Sequence, residues 1–142
     1  FDKCSLILNT CGKEADVAYI TAASQEHKRG FVFNECTIRS AVPGKEKEST
    51  QCSNRGYFGR PWKSQTSETI FNRCIIEKND EGRSMICDEG WLATLGGKAP
   101  VYEYGTKELS GEDNSSKRVD WSTVSDKTPD EIEELIKILR GR

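Results

Sequence analysis

Three seven-residue segments constrain this chain more than anything else in it. Phe1-Asp2-Lys3-Cys4-Ser5-Leu6-Ile7, Phe33-Asn34-Glu35-Cys36-Thr37-Ile38-Arg39 and Phe71-Asn72-Arg73-Cys74-Ile75-Ile76-Glu77 share the pattern Phe-[Asp/Asn]-x-Cys-x-[Leu/Ile], and their cysteines lie 32 and then 38 residues apart. Self-similarity at a period of roughly 20–50 residues marks a repeat architecture, in which each unit buries its apolar face against the next. From the cysteine onward the apolar positions alternate (Cys36 and Ile38, Cys74 and Ile76), as in a strand. Phe33 and Cys36 stand three apart, so both face inward only if the chain bends between them. The Asp or Asn after each Phe tolerates such a bend and is expected to supply it. Strand, corner and strand, repeated with polar loops between, predicts an all-β solenoid: coils of a parallel β-helix carrying a Phe ladder and a Cys ladder.

That ladder changes how the cysteines are read. Six stand at 4, 11, 36, 52, 74 and 87, an even number that would permit three disulfides. Ladder positions instead make Cys4, Cys36 and Cys74 buried thiols acting as small hydrophobes, with Cys11, Cys52 and Cys87 unassigned. No CxxC and no Cys/His pair has metal-ligand spacing, so neither a metal nor another cofactor is expected. The single histidine, His27, lies in the polar run Gln25-Glu26-His27-Lys28-Arg29-Gly30 and reads as an exposed loop residue. Ser-His or Cys-His catalysis then requires a histidine from elsewhere.

Charge and length exclude further classes. The 142 residues suit one domain, 1–142, and 21 basic against 23 acidic side chains leave a net charge of −2. No polycation for nucleic acid is present, and no apolar run approaches a membrane span. Residues 1–8 resemble the middle of a strand, not a signal peptide or a start, and carry no initiator methionine. The expectation is a chain cut from something longer.

Between the repeats, residues 17–22 read as a strand and residues 40–55, with Pro43-Gly44 inside, as a long polar excursion. Strand character returns at 69–76, then Met85-Ile86-Cys87 and a Gly90-Trp91 turn. Residues 99–105 look like a last strand, with Tyr102 and Tyr104 on one face and Glu103 on the other. Residues 106–117 read as a loop, and Arg118-Val119-Asp120-Trp121 as a short anchored segment. One helix is expected, over 128–140. Thr128 would be its N-cap, Pro129 its first residue and Glu131 its capping-box acid. Ile132, Leu135, Ile136 and Leu139 form one apolar stripe, expected to pack on the solenoid.

The polar excursion delivers the chain to Gly56-Tyr57-Phe58-Gly59-Arg60-Pro61-Trp62. Gly56 and Gly59 permit backbone conformations that other residues avoid, while Pro61 stiffens the step after Arg60 and biases it toward extended backbone. The guanidinium suits a carboxylate, and the indole face suits the apolar side of a flat ring. Arg60-Pro61-Trp62 taken alone equally describes a structural turn whose arginine pairs with some acid.

Six ordered segments then resemble a known family. Tyr19-Ile20-Thr21-Ala22, Gly30-Phe31-Val32-Phe33-Asn34-Glu35-Cys36-Thr37-Ile38, Tyr57-Phe58-Gly59-Arg60-Pro61-Trp62, Gly90-Trp91, Tyr102-Glu103-Tyr104-Gly105 and Arg118-Val119-Asp120-Trp121 are similar to the C-terminal half of pectin methylesterases (pectinesterases). Gly-Arg-Pro-Trp is the most specific of them. The resemblance implies a right-handed parallel β-helix and hydrolysis of methyl esters on the galacturonate units of pectin, outside the cell or in the cell wall. It implies an aspartate nucleophile, a second aspartate as acid and base, and glutamines at the oxyanion. Arg60 would hold the nucleophilic aspartate as a catalytic residue, and Trp62 would lie against the sugar. A neighbouring guanidinium can lower a carboxylate pKa by roughly 1–3 units and so keep it ionised.

The departures matter as well. The family's aspartates and glutamines belong to motifs upstream of the segment matching Phe1, and nothing maps Asp16, Asp80 or Asp88 onto them. Ala23-Ser24-Gln25 stands where members often read Gln-Gly-Arg, and Thr94 where they place a large residue. The expected molecule is therefore an esterase portion unable to turn over pectin alone. The rest of the enzyme, or another copy, would cover its open N-terminal end. Two readings from other classes stand beside it: a non-catalytic polysaccharide-binding solenoid, and a polysaccharide lyase. The lyase would want clustered carboxylates for calcium, which are scattered here.

Overall fold

The corner in each repeat falls one residue later than expected, on the residue between Asn and Cys. Lys3, Glu35 and Arg73 have φ of 52°, 51° and 49°, and Gly105 takes the same place at 62°. Asp2, Asn34 and Asn72 do different work. The Asn72 amide donates to Asn34 Oδ1 at 2.7 Å, and the Asn34 amide donates to Asp2 Oδ1 at 2.7 Å. A polar ladder thus runs beside the aromatic one, each side chain satisfying the next.

The computed structural model describes residues 1–9, 18–23, 29–42, 44–46, 54–61, 68–92 and 99–141. In chain order the strands are β1 (Ser5–Leu8), β2 (Ala18–Thr21), β3 (Phe31–Asn34), β4 (Thr37–Ser40), β5 (Gly56–Gly59), β6 (Thr69–Asn72), β7 (Ile75–Ile76), β8 (Val101–Tyr104), β9 (Lys107–Glu108) and β10 (Thr123–Ser125). The helix α1 spans Asp130–Arg140. Among the described residues the sheets run β1-β4-β7-β9, β3-β6-β8-β10 and β2-β5, with their strand pairs all parallel. Ser5 pairs with Thr37 and Thr37 with Ile75, so the register steps by the same intervals that separate the cysteines.

The side chains stack as the repeat requires. The Phe1 and Phe33 rings lie 4.9 Å apart and those of Phe33 and Phe71 4.6 Å apart, both stacked. Cys36 and Cys74 are buried and Cys4 is partly covered; with Cys87 these are free thiols. A hydrogen bond shared with Cys36 and then burial push the Cys74 thiol up, keeping it protonated. Cys11, Cys52 and His27 lie outside the described residues.

A fourth copy follows that its sequence disguises. Phe71 pairs with Glu103, Asn72 with Tyr104, and Ile76 with Glu108. Carboxylates therefore stand at a Phe level and an Ile level, both buried. The Ser84 hydroxyl donates to Glu108 Oε1 at 2.5 Å. Residues 106–117 are accordingly not one loop, since they contain β9 and a 3-10 turn at Ser115–Lys117. Nor is the strand of 99–105 the last, because β10 adds to it through Thr123–Tyr102 and Ser125–Tyr104.

Helix α1 begins later than the motif suggests. Pro129 is the N-cap, and the Thr128 hydroxyl instead donates to Asn72 Oδ1 at 2.6 Å, closing the amide ladder. Ile132 and Ile136 are buried against Val32, Ile70, Tyr102 and Tyr104 on the outer face of the β3-β6-β8 sheet. Leu139, the end of the expected stripe, is exposed. Arg73 pairs with Glu133 at 2.8 Å, and Arg140 pairs with Asp2 at 2.9 Å and also with Glu35.

The contact from Arg140 to Asp2 has a pH signature. The Arg140 guanidinium, and after it the Asn34 amide, hold the Asp2 carboxyl down at about 2. Its folded pKa lies below the unfolded value near 3.9, so its contribution is complete above about pH 4 and disappears as pH falls through about 2. The melting temperature of D2N should therefore fall less steeply than that of the parent between about pH 4 and pH 2. Parallel curves would show that this contact does not couple to folding.

Candidate functional site

Residues 56–59 form a strand, not a free loop, and their glycines are required for space rather than for unusual backbone angles. Neither Gly56 nor Gly59 has positive φ. A Cβ on Gly56 would stand 2.6 Å from the Ala18 carbonyl oxygen, and one on Gly59 would stand 2.2 Å from Thr21 Oγ1 and 3.0 Å from the Trp91 ring. β5 is pressed between β2 on one side and residues 86–91 on the other, through bridges Gly56–Ile86 and Gly59–Trp91.

Hydrogen bonds hold this layer on both edges. The Phe58 N–H donates to the Gly90 carbonyl at 2.8 Å and the Leu92 N–H to the Gly59 carbonyl at 3.0 Å. On the other edge the Arg60 N–H donates to the Thr21 carbonyl at 2.9 Å, and the buried Thr21 hydroxyl donates to the Phe58 carbonyl at 3.0 Å. Arg60 leaves the strand end half-buried, followed by a buried Pro61. Its guanidinium carbon lies 5.9 Å from the centroid of the Tyr19 ring. Trp62 and Thr94 lie outside the described residues.

Below this strand stands the polar centre of the fold. Glu103 is 0 % exposed and Arg118 5 % exposed, joined by Nε–Oε2 at 2.9 Å and Nη2–Oε1 at 3.3 Å. The Thr106 hydroxyl donates to Glu103 Oε1 at 2.9 Å, and Arg118 Nη1 donates to the carbonyls of Asp88 (3.1 Å) and Cys87 (3.5 Å). The guanidinium also lies 5.3 Å from the Phe58 ring centroid. Gly90, with φ of 73°, completes this packing, since a Cβ there would meet Arg118 Cδ at 2.5 Å. Nearly every polar atom of the pair is thus engaged, the condition under which a buried ion pair is tolerated.

Trp91 sits on the same floor, 1 % exposed, its ring 5.4 Å from that of Phe58 and 5.9 Å edge-on to that of Phe71. It is a core residue, out of reach of a ligand. Asp88, at the turn before it, is held by Arg55 at 3.7 Å and Lys117 at 3.4 Å. The structure thus places Arg60 on a surface braced from below by Phe58, Trp91 and the Glu103–Arg118 pair. Tyr19, Glu103 and Arg118 lie within the sequence motifs, but the motifs point to no part for these side chains in the site. An acid at a Phe position of the repeat was the available signal. Among the described residues no cluster of His, Cys, Asp and Glu has the form of a metal site. No helix among them is long and apolar enough to cross a membrane.

The family profile described as Pectinesterase matches residues 1–136. Among solved structures, the crystal structure of the pectin methylesterase from Aspergillus niger, in penultimately deglycosylated form, is similar to this chain. Its TM-score is 0.61 and its identity 23 %, over 91 % of this chain and 37 % of that one. No curated protein matches the sequence.

Proposed function

The chain belongs to the pectinesterase family, and we propose that it is the C-terminal portion of a secreted pectin methylesterase built as a right-handed parallel β-helix in one domain. The reaction is hydrolysis of galacturonate methyl esters in pectin, releasing methanol and leaving free carboxylates. In it Arg60 orients an aspartate nucleophile carried by the rest of the enzyme, and Trp62 lies against a sugar ring. The observation that carries this reading is the fixed exit of Arg60. Its strand is clamped on both edges and its own N–H is anchored on Thr21, so the side chain leaves the sheet at a defined place, the starting point that bidentate recognition of a carboxylate needs. Support for a partial chain comes from its span, 37 % of the length of the Aspergillus enzyme.

An open end belongs to the same reading. Phe1 is stacked on Phe33 but widely exposed on its other side, beside a cavity of about 290 Å³ lined by Asp2, Val32, Asn34, Ile136, Leu139 and Arg140. An exposed aromatic ring at a strand edge invites pairing, and a preceding coil of the enzyme, or failing that a second copy, would cover it.

Two assays test this. The 142-residue chain should bind oligogalacturonides while releasing no methanol from methylated pectin; turnover at roughly 1–10³ s⁻¹ would refute the division of the site. Joined to an upstream half carrying the two aspartates, it should hydrolyse the ester, and R60A should abolish most of that activity. Binding without hydrolysis in the joined form would favour a carbohydrate-binding protein instead.

A further inference from the structure

We propose that Tyr19 is a positioning residue for Arg60, its ring face holding the guanidinium in place; the inference rests on the reading of Arg60 as a site residue. Tyr19 lies in β2 directly in register with Tyr57 of β5, the strand that ends at Arg60. It is the outward residue of its strand, 40 % exposed, so the core does not account for its large ring. From the Arg60 backbone, anchored on the Thr21 carbonyl, the side chain runs back along β2 until its guanidinium carbon is 5.9 Å from the Tyr19 centroid. That is within the range of a cation–π contact. The two anchors act on different parts of one residue: Thr21 fixes where Arg60 starts, and Tyr19 fixes where its charge ends.

The physical gain is preorganisation. An arginine is long and rotamer-rich, and pairing with a carboxylate costs the freedom of each torsion it must fix. A ring that already holds the planar guanidinium by its face removes part of that cost. The aromatic face is what matters, and the phenol hydroxyl contributes nothing to it. A conservative replacement should therefore behave as the parent does.

The test uses NMR of the Arg60 side chain in the whole 142-residue chain (assigned through R60K), and methanol release from methylated pectin by the same chain joined to an upstream half carrying the two aspartates. In Y19L the Arg60 signals should lose the ring-current displacement that a stacked tyrosine imposes, and kcat of the joined form should fall about 2–5-fold with KM little changed. Y19F should retain both the displacement and the kcat. Unmoved Arg60 signals in Y19L would overturn the proposal. If Y19L moves those signals while neither it nor R60A lowers kcat of the joined form, Arg60 is no part of the esterase site. The positioning role then falls with that reading, although the ring contact stands.

Discussion

Replacing Glu103 by leucine should cost about 3–5 kcal/mol of folding stability, because it leaves the Arg118 guanidinium in the core without its counter-charge. The cost follows from where the pair sits. Both side chains are almost fully covered, and no solvent can take over from the lost carboxylate. Thr106 would lose its acceptor at the same time. In urea unfolding the midpoint should fall by roughly 2 M, taking a slope of about 2 kcal/mol per M. The double variant E103L/R118M should be less destabilised than the two single changes added together, since it removes both charges at once. It will not recover fully, because the carbonyls of Cys87 and Asp88 lose a donor. Additive losses would mean that the two residues act on the fold independently. Because Arg118 also lies against Phe58, E103L should disturb the strand that ends at Arg60 as well as the global stability.

Phe71→Ala should be of similar size, about 3–5 kcal/mol, for a different reason. Phe71 joins two aromatic systems. It stacks on Phe33 in the ladder, lies 4.7 Å from the Phe58 ring, and meets Trp91 edge-on. Truncation opens a cavity that the paired strands cannot close, because their spacing is set by the backbone hydrogen bonds of the parallel sheets. Phe71→Leu should lose less than half as much, since it keeps most of the volume. Equilibrium unfolding monitored by tryptophan fluorescence measures both, and equal losses in the two variants would contradict a packing origin. Phe1→Ala, at the exposed end of the same ladder, should be nearly neutral by comparison.

The repeat was legible in the sequence wherever its levels kept their residue types. Phe, Cys and the branched aliphatics recur at positions 1, 33 and 71 and after, and the strands paired in that register. The fourth copy escaped because its levels are filled by Glu103, Thr106 and Glu108. A pattern search for apolar residues passes over carboxylates, and Glu103 is admissible there because Arg118 arrives from elsewhere in the chain to pair with it, while Ser84 donates to one oxygen of Glu108. The corner was misplaced by one residue for a related reason. Asn is a turn former by itself, but here its amide is occupied in a ladder, and the left-handed angle passes to Lys3, Glu35 and Arg73.

In the candidate site, the Gly-Arg-Pro-Trp motif points to Arg60 and Trp62, while Gly56 and Gly59 serve close approach and not unusual backbone angles. Freedom of φ is a property of glycine that sequence reveals directly. Closeness to Ala18 and Thr21 is not, because it depends on a neighbouring strand 38 residues away. The side chains around Arg60 were hidden in the same way, with Tyr19 on one strand and Glu103 and Arg118 below another.

What this sequence determined by itself is periodic: which residues stack, at what interval, and that one helix with an apolar stripe closes the chain. These follow from local alternation and from equal side chains recurring at equal levels, information that sequence spacing carries. The tertiary structure alone decided which polar residues could enter the core and where the charge of Arg60 comes to rest. Both are settled by partners far away in sequence, brought within hydrogen-bond or ring-contact distance only when the parallel strands are laid side by side.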